Sequence, residues 1–201
     1  STPAWSNGLD LVVEAGGTRV LMDCGFGLAD SVTRLARLGL QATDLAGIVV
    51  THEHSDHIGG VGRLARRHGL PVWLTAGTLA MAQDLDEVAV QVIDSHAAFA
   101  VDELEIQPFP VPHDAREPVQ YVFGDGDRRL GVLTDTGSDT PHIEAMLAGV
   151  DALVLECNHD AAMLENGPYP TSLKRRVGGR FGHLENGQSA ALLDRLKHAK
   201  L

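Results

Sequence analysis

The sequence predicts a single α/β domain in which helices cover mixed β-sheets. Three observations carry this prediction. The chain has 201 residues, a length typical of one domain, so residues 1–201 are taken as one unit. Short strand-like runs alternate with stretches of helical periodicity along most of the chain. Each half also contains a predicted hairpin, and hairpins combined with strand–helix units give mixed sheets.

The first half of the chain begins with one of these hairpins. Residues 9–15 and 18–24 are β-rich and flank a Gly-Gly pair. Apolar residues at helical spacing over residues 32–38 predict a helix, with Asp30 or Ser31 as its N-cap. The remaining elements predicted here are the buried strand LAGIVV ending at Thr51, a helix over 58–68, the strand PVWLT and a helix over 78–85.

The second half repeats the mixture of strands and helices. Its predicted elements are a β-rich stretch over 88–111, a hairpin around Gly124-Asp125-Gly126, a helix over 142–147, the strand DALVLEC and a helix over 186–198. No repeat or low-complexity tract interrupts this order. The pattern therefore predicts a compact fold.

Charge and composition exclude several classes of protein. The net charge of −11 argues against a basic surface that coats nucleic acid, although a local basic patch remains open. No apolar run approaches the ~18 residues of a membrane span, and residues 1–10 do not resemble a signal peptide. Cys24 and Cys157 both end apolar runs and are expected to be buried free thiols. We therefore expect a cytoplasmic protein.

The run Thr51-His52-Glu53-His54-Ser55-Asp56-His57 concentrates potential metal ligands directly after a predicted strand. Alternate side chains of extended backbone share a face, so His52 and His54 can bind one ion together. Asp56 and His57 are adjacent and lie where a helix is entered, so they must diverge from the first pair. This geometry favours two ions over one. Imidazole and carboxylate ligands fit Zn, Mn or Fe(II).

Three later segments each place a ligand-type residue just after an apolar run: His113 in VPHDA, Asp135 in VLTDTG and His183 in FGHLEN. Strand ends along one sheet edge are where the sites of α/β proteins assemble. We therefore predict a dinuclear site. Its first ion would be bound by His52, His54 and His113, its second by Asp56, His57 and His183, and Asp135 would bridge them.

These residues resemble the signature of the metallo-β-lactamase-fold hydrolases, which is HxHxDH followed by separate His, Asp and His motifs. Asp23 in LMDCG also matches an early acidic motif of that family, which supports the ligand loop. The resemblance implies an αββα sandwich, two mixed β-sheets flanked by helices, with the dinuclear site along one edge. The stretches VTHEHSDHIGGVGRLARRHGLPVW, LECNHDAAMLENGPYPTSLKRR and GRFGHLEN are similar to the exonuclease-like YycJ/WalJ branch.

Two further groups are candidates for substrate contacts. His159 follows the apolar strand DALVLE. In a functional role, it contacts a substrate phosphate or protonates a leaving group. In a structural role, it caps the next helix, for which Asp160 is the better residue type. A basic run just before His183 either faces phosphodiester oxygens or forms a solvated helix face. This run consists of Lys174, Arg175, Arg176 and Arg180.

The sequence thus predicts a hydrolase that uses two divalent metal ions, Zn or Mn, with Fe also compatible. We expect an exonuclease-like phosphodiesterase that cleaves DNA or RNA with metal-activated hydroxide. Asp56 or Asp135 would orient the hydroxide, and His159 would donate a proton to the leaving oxygen. We expect a nucleic acid as the substrate and no association with a membrane. The oligomeric state is left open.

Two alternatives belong to other classes. The same metal site could hydrolyse a thioester, a lactone or a β-lactam, and the acidic charge slightly favours such small substrates. A metal-stabilised binding module is the non-enzymatic alternative. It is disfavoured because structural zinc prefers closed sites with four ligands.

Overall fold

The computed structural model describes residues 10–198, which form two five-stranded sheets. The first sheet has the order β1-β2-β3-β4-β5. Its strands are β1 (Leu11–Ala15), β2 (Thr18–Met22), β3 (Gly47–Val49), β4 (Val72–Thr75) and β5 (Val90–Ile93). β1 and β2 form the predicted antiparallel hairpin, and the other neighbours are parallel. The first sheet is therefore mixed.

The second sheet has the order β10-β9-β8-β7-β6. Its strands are β6 (Phe99–Val101), β7 (Leu104–Pro110), β8 (Val119–Gly124), β9 (Arg129–Leu133) and β10 (Ala152–Leu155). β6 to β9 are antiparallel neighbours, and β10 joins β9 in parallel. The hairpin predicted around Gly124-Asp125-Gly126 is confirmed as β8 and β9.

Eight α-helices lie within residues 10–198, and several of them pack on the outer faces of the sheets. They are α1 (Leu28–Arg37), α2 (Ser55–Ile58), α3 (Val61–His68), α4 (Ala76–Met81), α5 (Pro141–Leu147), α6 (Ala161–Asn166), α7 (Thr171–Val177) and α8 (Asn186–Leu196). The sequence pattern assigned no bounds to α6 and α7. None of the helices within residues 10–198 is both long and apolar enough to cross a membrane.

Three layers of apolar side chains hold this arrangement together. Met22 and Val49 pack with Ile106, Tyr121 and Phe123 between the two sheets. A second cluster fills the space between the first sheet and helices α1 and α3, and a third lies between the second sheet and helices α5 and α8. Strand β8 lies between two of these clusters, and its residues Val119 to Phe123 are therefore buried on both faces of the sheet. The predicted αββα sandwich is confirmed.

Several predicted helix bounds differ from the structure for identifiable reasons. α1 begins at Leu28 with Gly27 as N-cap, so the prediction of an Asp30 or Ser31 cap was wrong. The hydroxyl of Ser31 instead turns inward and donates to Asp10. The helix predicted over 58–68 is interrupted at Gly60, where a Cβ would overlap the carbonyl oxygen of Phe26.

Two other predictions need correction. The helix predicted over 78–85 is α4, which ends at Met81. Cys24 is buried as expected, whereas Cys157 is exposed, and both are free thiols. Cys157 follows β10, which forms the edge of its sheet, and residues along β10 alternate between exposed and half-buried. An apolar run on an edge strand therefore does not bury the residue after it.

Candidate metal centre

The predicted ligands meet at one edge of the two packed sheets. The HxHxDH loop follows β3, His113 follows β7, Asp135 follows β9 and His183 lies just before α8. The sheets are joined directly beneath this edge. The N–H of Val119 donates to the carbonyl of Thr51 at 3.0 Å, and the hydroxyl of Tyr121 donates to the carbonyl of Val50 at 2.7 Å. These contacts hold the loop in a fixed position.

Three histidines converge on one point. Nε2 of His52 lies 2.9 Å from Nδ1 of His54, and the same nitrogen of His54 lies 3.2 Å from Nε2 of His113. Tetrahedral zinc with bonds of 2.0–2.1 Å would place its nitrogen ligands roughly 3.3 Å apart. The spacing and the chemistry of these three donors therefore fit one metal ion.

Asp135 belongs to two further ligand groups. One joins it to His52 and His57, the other to His113 and His183, and the ligand atoms in each group lie within 4.8 Å of one another. Oδ2 of Asp135 is 3.3 Å from Nε2 of His57, and Oδ1 is 3.5 Å from Nδ1 of His183. One oxygen of Asp135 therefore lies near each of these two histidines.

Asp56 is placed differently from the other six predicted ligands. Among residues 10–198, the three groups of possible ligands do not include Asp56. Its carboxylate lies 3.8 Å from Nε2 of His57, and its side chain is 40% exposed. His57 and His183 also fall in separate groups. The structure thus brings six of the seven predicted ligands into close groups and leaves Asp56 at their solvent-facing margin.

Asp23 organises the HxHxDH loop from below, as the family resemblance implies. This fully buried carboxylate accepts hydrogen bonds from the N–H and the hydroxyl of Thr51, both at 2.8 Å. Its Oδ2 also lies 2.8 Å from Nδ1 of His57. A carboxylate can only accept here, so Nδ1 of His57 carries the proton and Nε2 is left for a metal ion.

Glu156 supports the opposite side of the site, although no sequence motif pointed to it. Its Oε1 lies 2.6 Å from Nδ1 of His183, while Oε2 accepts from the N–H groups of Thr136 and Leu184. Glu156 ends the apolar run DALVLE, so an acidic residue at a strand end was the available signal. His113 is oriented in the same way, since its Nδ1 lies 3.0 Å from the carbonyl oxygen of Gly182.

The electrostatics of the centre suit metal binding. Burial lowers the pKa of His52 and of His113, which keeps both imidazoles neutral. Burial alone would raise the pKa of Asp135, but hydrogen bonding to His57 and the surrounding histidines lower it, so the carboxylate is ionised. Neutral imidazole and ionised carboxylate are the forms that bind metals. His57 differs: burial opposes its protonation, yet Asp23 and Asp135 outweigh burial and raise its pKa to about 11, so a metal ion must displace a proton from this imidazole.

The four basic residues of the predicted rim separate into distinct environments. Lys174 and Arg175 line a groove of about 760 Å³ together with His159 and Glu185. Arg176 instead pairs with Asp114 at 2.6 Å. The other oxygen of Asp114 lies 3.6 Å from Nε2 of His113 and 3.7 Å from Nε2 of His54.

Arg180 lies over the ring of Phe181 at 4.8 Å from its centroid. Only Lys174 and Arg175 of the four therefore face the groove.

His159 does not cap α6. Asp160 is the cap, because its side chain accepts from the N–H of Met163 at 2.8 Å. The backbone of His159 forms a parallel bridge with Glu185, two residues after His183, and its side chain lines the groove. Partial burial lowers the pKa of His159.

The sandwich and the cluster at its edge define a metallo-β-lactamase-fold protein whose His and Asp residues could hold metal ions. The beta-lactamase superfamily domain matches residues 18–201, and the chain belongs to this family. Exodeoxyribonuclease YycJ of Bacillus anthracis is 35% identical over 98% of this chain and 78% of its own length. Exodeoxyribonuclease WalJ of Streptococcus pneumoniae is 31% identical over 94% and 73%.

Solved structures agree on the fold. The metallo-beta-lactamase fold protein YhfI from Bacillus subtilis superposes with a TM-score of 0.72 over 96% of this chain and 76% of its own. Its sequence identity is 18%, so this likeness bears on the fold alone.

Proposed function

We propose that the protein is a dinuclear metal-dependent phosphodiesterase that cleaves nucleic acid from a chain end. The observation that carries this proposal is Asp135, whose two oxygens face His57 and His183 at the edge where the His52, His54 and His113 cluster also lies. Similarity to two exodeoxyribonucleases over nearly the whole chain supports DNA as the first substrate to test.

The ligands divide between two ions in this proposal. His52, His54 and His113 would hold the first ion, and His57 and His183 the second, with Asp135 shared. Asp56 would complete the second site from its exposed margin. Zn or Mn suits this set of imidazole and carboxylate donors. The ions would supply Lewis acidity and activate water.

Other side chains would prepare the substrate for hydrolysis. Lys174 and Arg175 would bind backbone phosphates where they line the groove. Asp56 is half-exposed, so it can accept a proton from an attacking water, with Asp135 as the second candidate for that role. His159 lines the same groove and would donate a proton to the leaving oxygen.

The test compares substrates on metal-reconstituted protein. Single- and double-stranded DNA, RNA, a thioester and a lactone are each incubated with the protein, and metal content is measured in parallel. We expect DNA cleavage that stops when a chelator is added while the circular dichroism of the fold persists. His183→Ala should abolish cleavage, whereas His68→Ala should not. Protein that leaves every nucleic acid intact but hydrolyses the thioester or lactone would overturn the proposal.

A further inference from the structure

An exposed aromatic ring lies beside the candidate metal centre. Phe181 is 49% exposed, although it is only two residues from His183. Among the Phe, Tyr and Trp side chains of residues 10–198, the others are buried or half-buried. Single exposed apolar side chains are common on protein surfaces, so it is the surroundings of this ring, and not its exposure alone, that indicate a function.

The backbone that carries Phe181 is fixed to the loops of the metal centre on both sides of the ring. On one side, the carbonyl of Arg180 accepts a hydrogen bond from the hydroxyl of Ser138 at 3.3 Å. On the other, the carbonyl of Gly182 faces Nδ1 of His113 at 3.0 Å. Gly137 packs so closely against this segment that a Cβ there would overlap the backbone of Arg180 and Gly182. The backbone at Phe181 is therefore held at a set position relative to the candidate ligands.

A cation accompanies the ring. The guanidinium of Arg180 lies 4.8 Å from the ring centroid, within the range of cation–π attraction. An aromatic face next to an arginine is the combination with which proteins bind single-stranded nucleic acid, where the ring stacks on a base and the arginine meets a phosphate. The groove lined by Lys174 and Arg175 lies in the same part of the chain and offers further positive charge.

We infer that Phe181 is a stacking platform for one nucleobase of the substrate, with Arg180 binding an adjacent phosphate. The inference rests on the proposed function and deepens it, since it assigns a substrate base to a specific side chain. Stacking is tolerant of sequence because every base has a π-face, so the platform would position the strand without selecting its sequence.

The test measures binding of a phosphorothioate oligonucleotide, which resists cleavage, to the metal-loaded protein by fluorescence anisotropy. Phe181→Ala should weaken binding by about 5- to 150-fold, which corresponds to ~1–3 kcal/mol per stacked base. Phe181→Leu keeps an apolar side chain but no π-face and should weaken binding similarly. Phe181→Tyr and Phe181→Trp should retain wild-type affinity. Leu193→Ala, at another exposed apolar residue, serves as the control.

A second measurement isolates the stacking contact. A series of oligonucleotides carries a single abasic nucleotide at successive positions, and binding is compared between the wild type and Phe181→Ala. We expect one position at which base removal weakens the wild type but not the variant. Equal affinities of the wild type and all four Phe181 variants, or the same abasic profile in both proteins, would overturn the inference.

The two hypotheses fail in different ways. If the wild type cleaves DNA and Phe181→Ala binds and cleaves DNA equally well, the proposed function stands and the stacking inference is refuted. If the protein neither binds nor cleaves nucleic acid, both are refuted. A role of the ring in contacting another protein would leave oligonucleotide binding unchanged and is thus separated from stacking.

Discussion

Nδ1 of His183 lies 2.6 Å from Oε1 of Glu156, a residue that also accepts two backbone N–H groups of the same site. A carboxylate in this position fixes the imidazole tautomer and orients the ring, and such supporting partners typically contribute 10- to 100-fold to metal affinity. This contact connects the end of β10 to the loop before α8.

Glu156→Gln should therefore weaken metal binding. The amide would turn its NH₂ group either towards Nδ1 of His183 or towards the N–H groups of Thr136 and Leu184, so one donor would face another donor. We expect metal affinity to fall by about 10- to 100-fold, measured by competition with a chelator. Glu165→Gln, at an exposed side chain, is the matched control. Unchanged affinity in Glu156→Gln would mean that Glu156 does not orient His183.

Asp23→Asn should impair the second metal position without disturbing the backbone. Asp23 has φ of 59°, a left-handed conformation that Asn also adopts readily. The new NH₂ group would donate to Nδ1 of His57 and shift the proton to Nε2, the nitrogen that faces Asp135. Metal content should drop below that of the wild type, as elemental analysis of dialysed protein would show.

The control for this prediction is Asp102→Asn. Asp102 also has a positive φ, 49°, but its side chain is exposed. It should keep full metal content. Loss of metal from both variants would indicate a general effect of the substitution rather than a role for the Asp23 carboxylate.

The cluster of candidate ligands was predictable from the sequence because its signal is local. His52, His54 and His57 occur within six residues at the end of an apolar strand, and a strand end can be recognised without the fold. Glu156 and Asp114 also follow strands, but each is an acidic residue that belongs to no ligand motif. Their importance arises from contacts with His183 and Arg176, residues that are 27 and 62 positions away in the chain.

The same limit explains the misplaced helix bounds. The break between α2 and α3 depends on Gly60 approaching the backbone of Phe26, and the inward turn of Ser31 depends on Asp10. Periodicity within a single segment cannot reveal either contact. By contrast, the glycine-containing turns located both hairpins correctly, because a hairpin turn is confined to adjacent residues.

Asp10 should make stability depend on pH. Burial raises its pKa from 3.8 to about 6, although Gly25 and Ser31 donate hydrogen bonds to it. The folded state therefore holds this proton more tightly than the unfolded state does. The resulting stabilisation is complete below about pH 3.8 and is lost as the pH rises through about 6.

Asp10→Asn should remove this part of the pH dependence. Between pH 4 and 6, the free energy of unfolding of the variant should rise relative to the wild type by about 1 kcal/mol, a value reduced for solvent screening at a half-buried group. Urea denaturation at several pH values measures the difference, with Asp30→Asn on the surface of α1 as control. A difference between the two proteins that stays constant over this range would refute the prediction.

Lys174 and Arg175 should determine the salt dependence of DNA binding. Each phosphate bound on single-stranded DNA contributes a slope of about −0.7 to the plot of log affinity against log salt, and about −0.9 on duplex DNA. The double variant Lys174→Gln/Arg175→Gln should flatten the slope by that amount for each phosphate that it no longer neutralises. Arg63→Gln/Arg67→Gln, on the exposed side of α3, should leave it unchanged. Equal slopes in all three proteins would place the phosphates elsewhere.

His159 should matter most when the leaving group needs a proton. Its side chain lines the groove beside Lys174, and partial burial lowers its pKa, so the protonated imidazole that can donate is favoured on the acid side of neutrality. We expect His159→Ala to reduce kcat by about 10²- to 10⁴-fold on a dinucleotide, whose leaving alkoxide must be protonated. The loss should be far smaller on a p-nitrophenyl phosphodiester, because p-nitrophenolate leaves without a proton.

His142→Ala, at an exposed histidine on α5, should affect neither substrate. A purely structural role for the His159 side chain, whose Nδ1 lies 3.3 Å from Oδ1 of Asn158, predicts equal losses on both substrates and a lower melting temperature. The ratio of the two losses therefore decides whether the imidazole acts on the leaving oxygen.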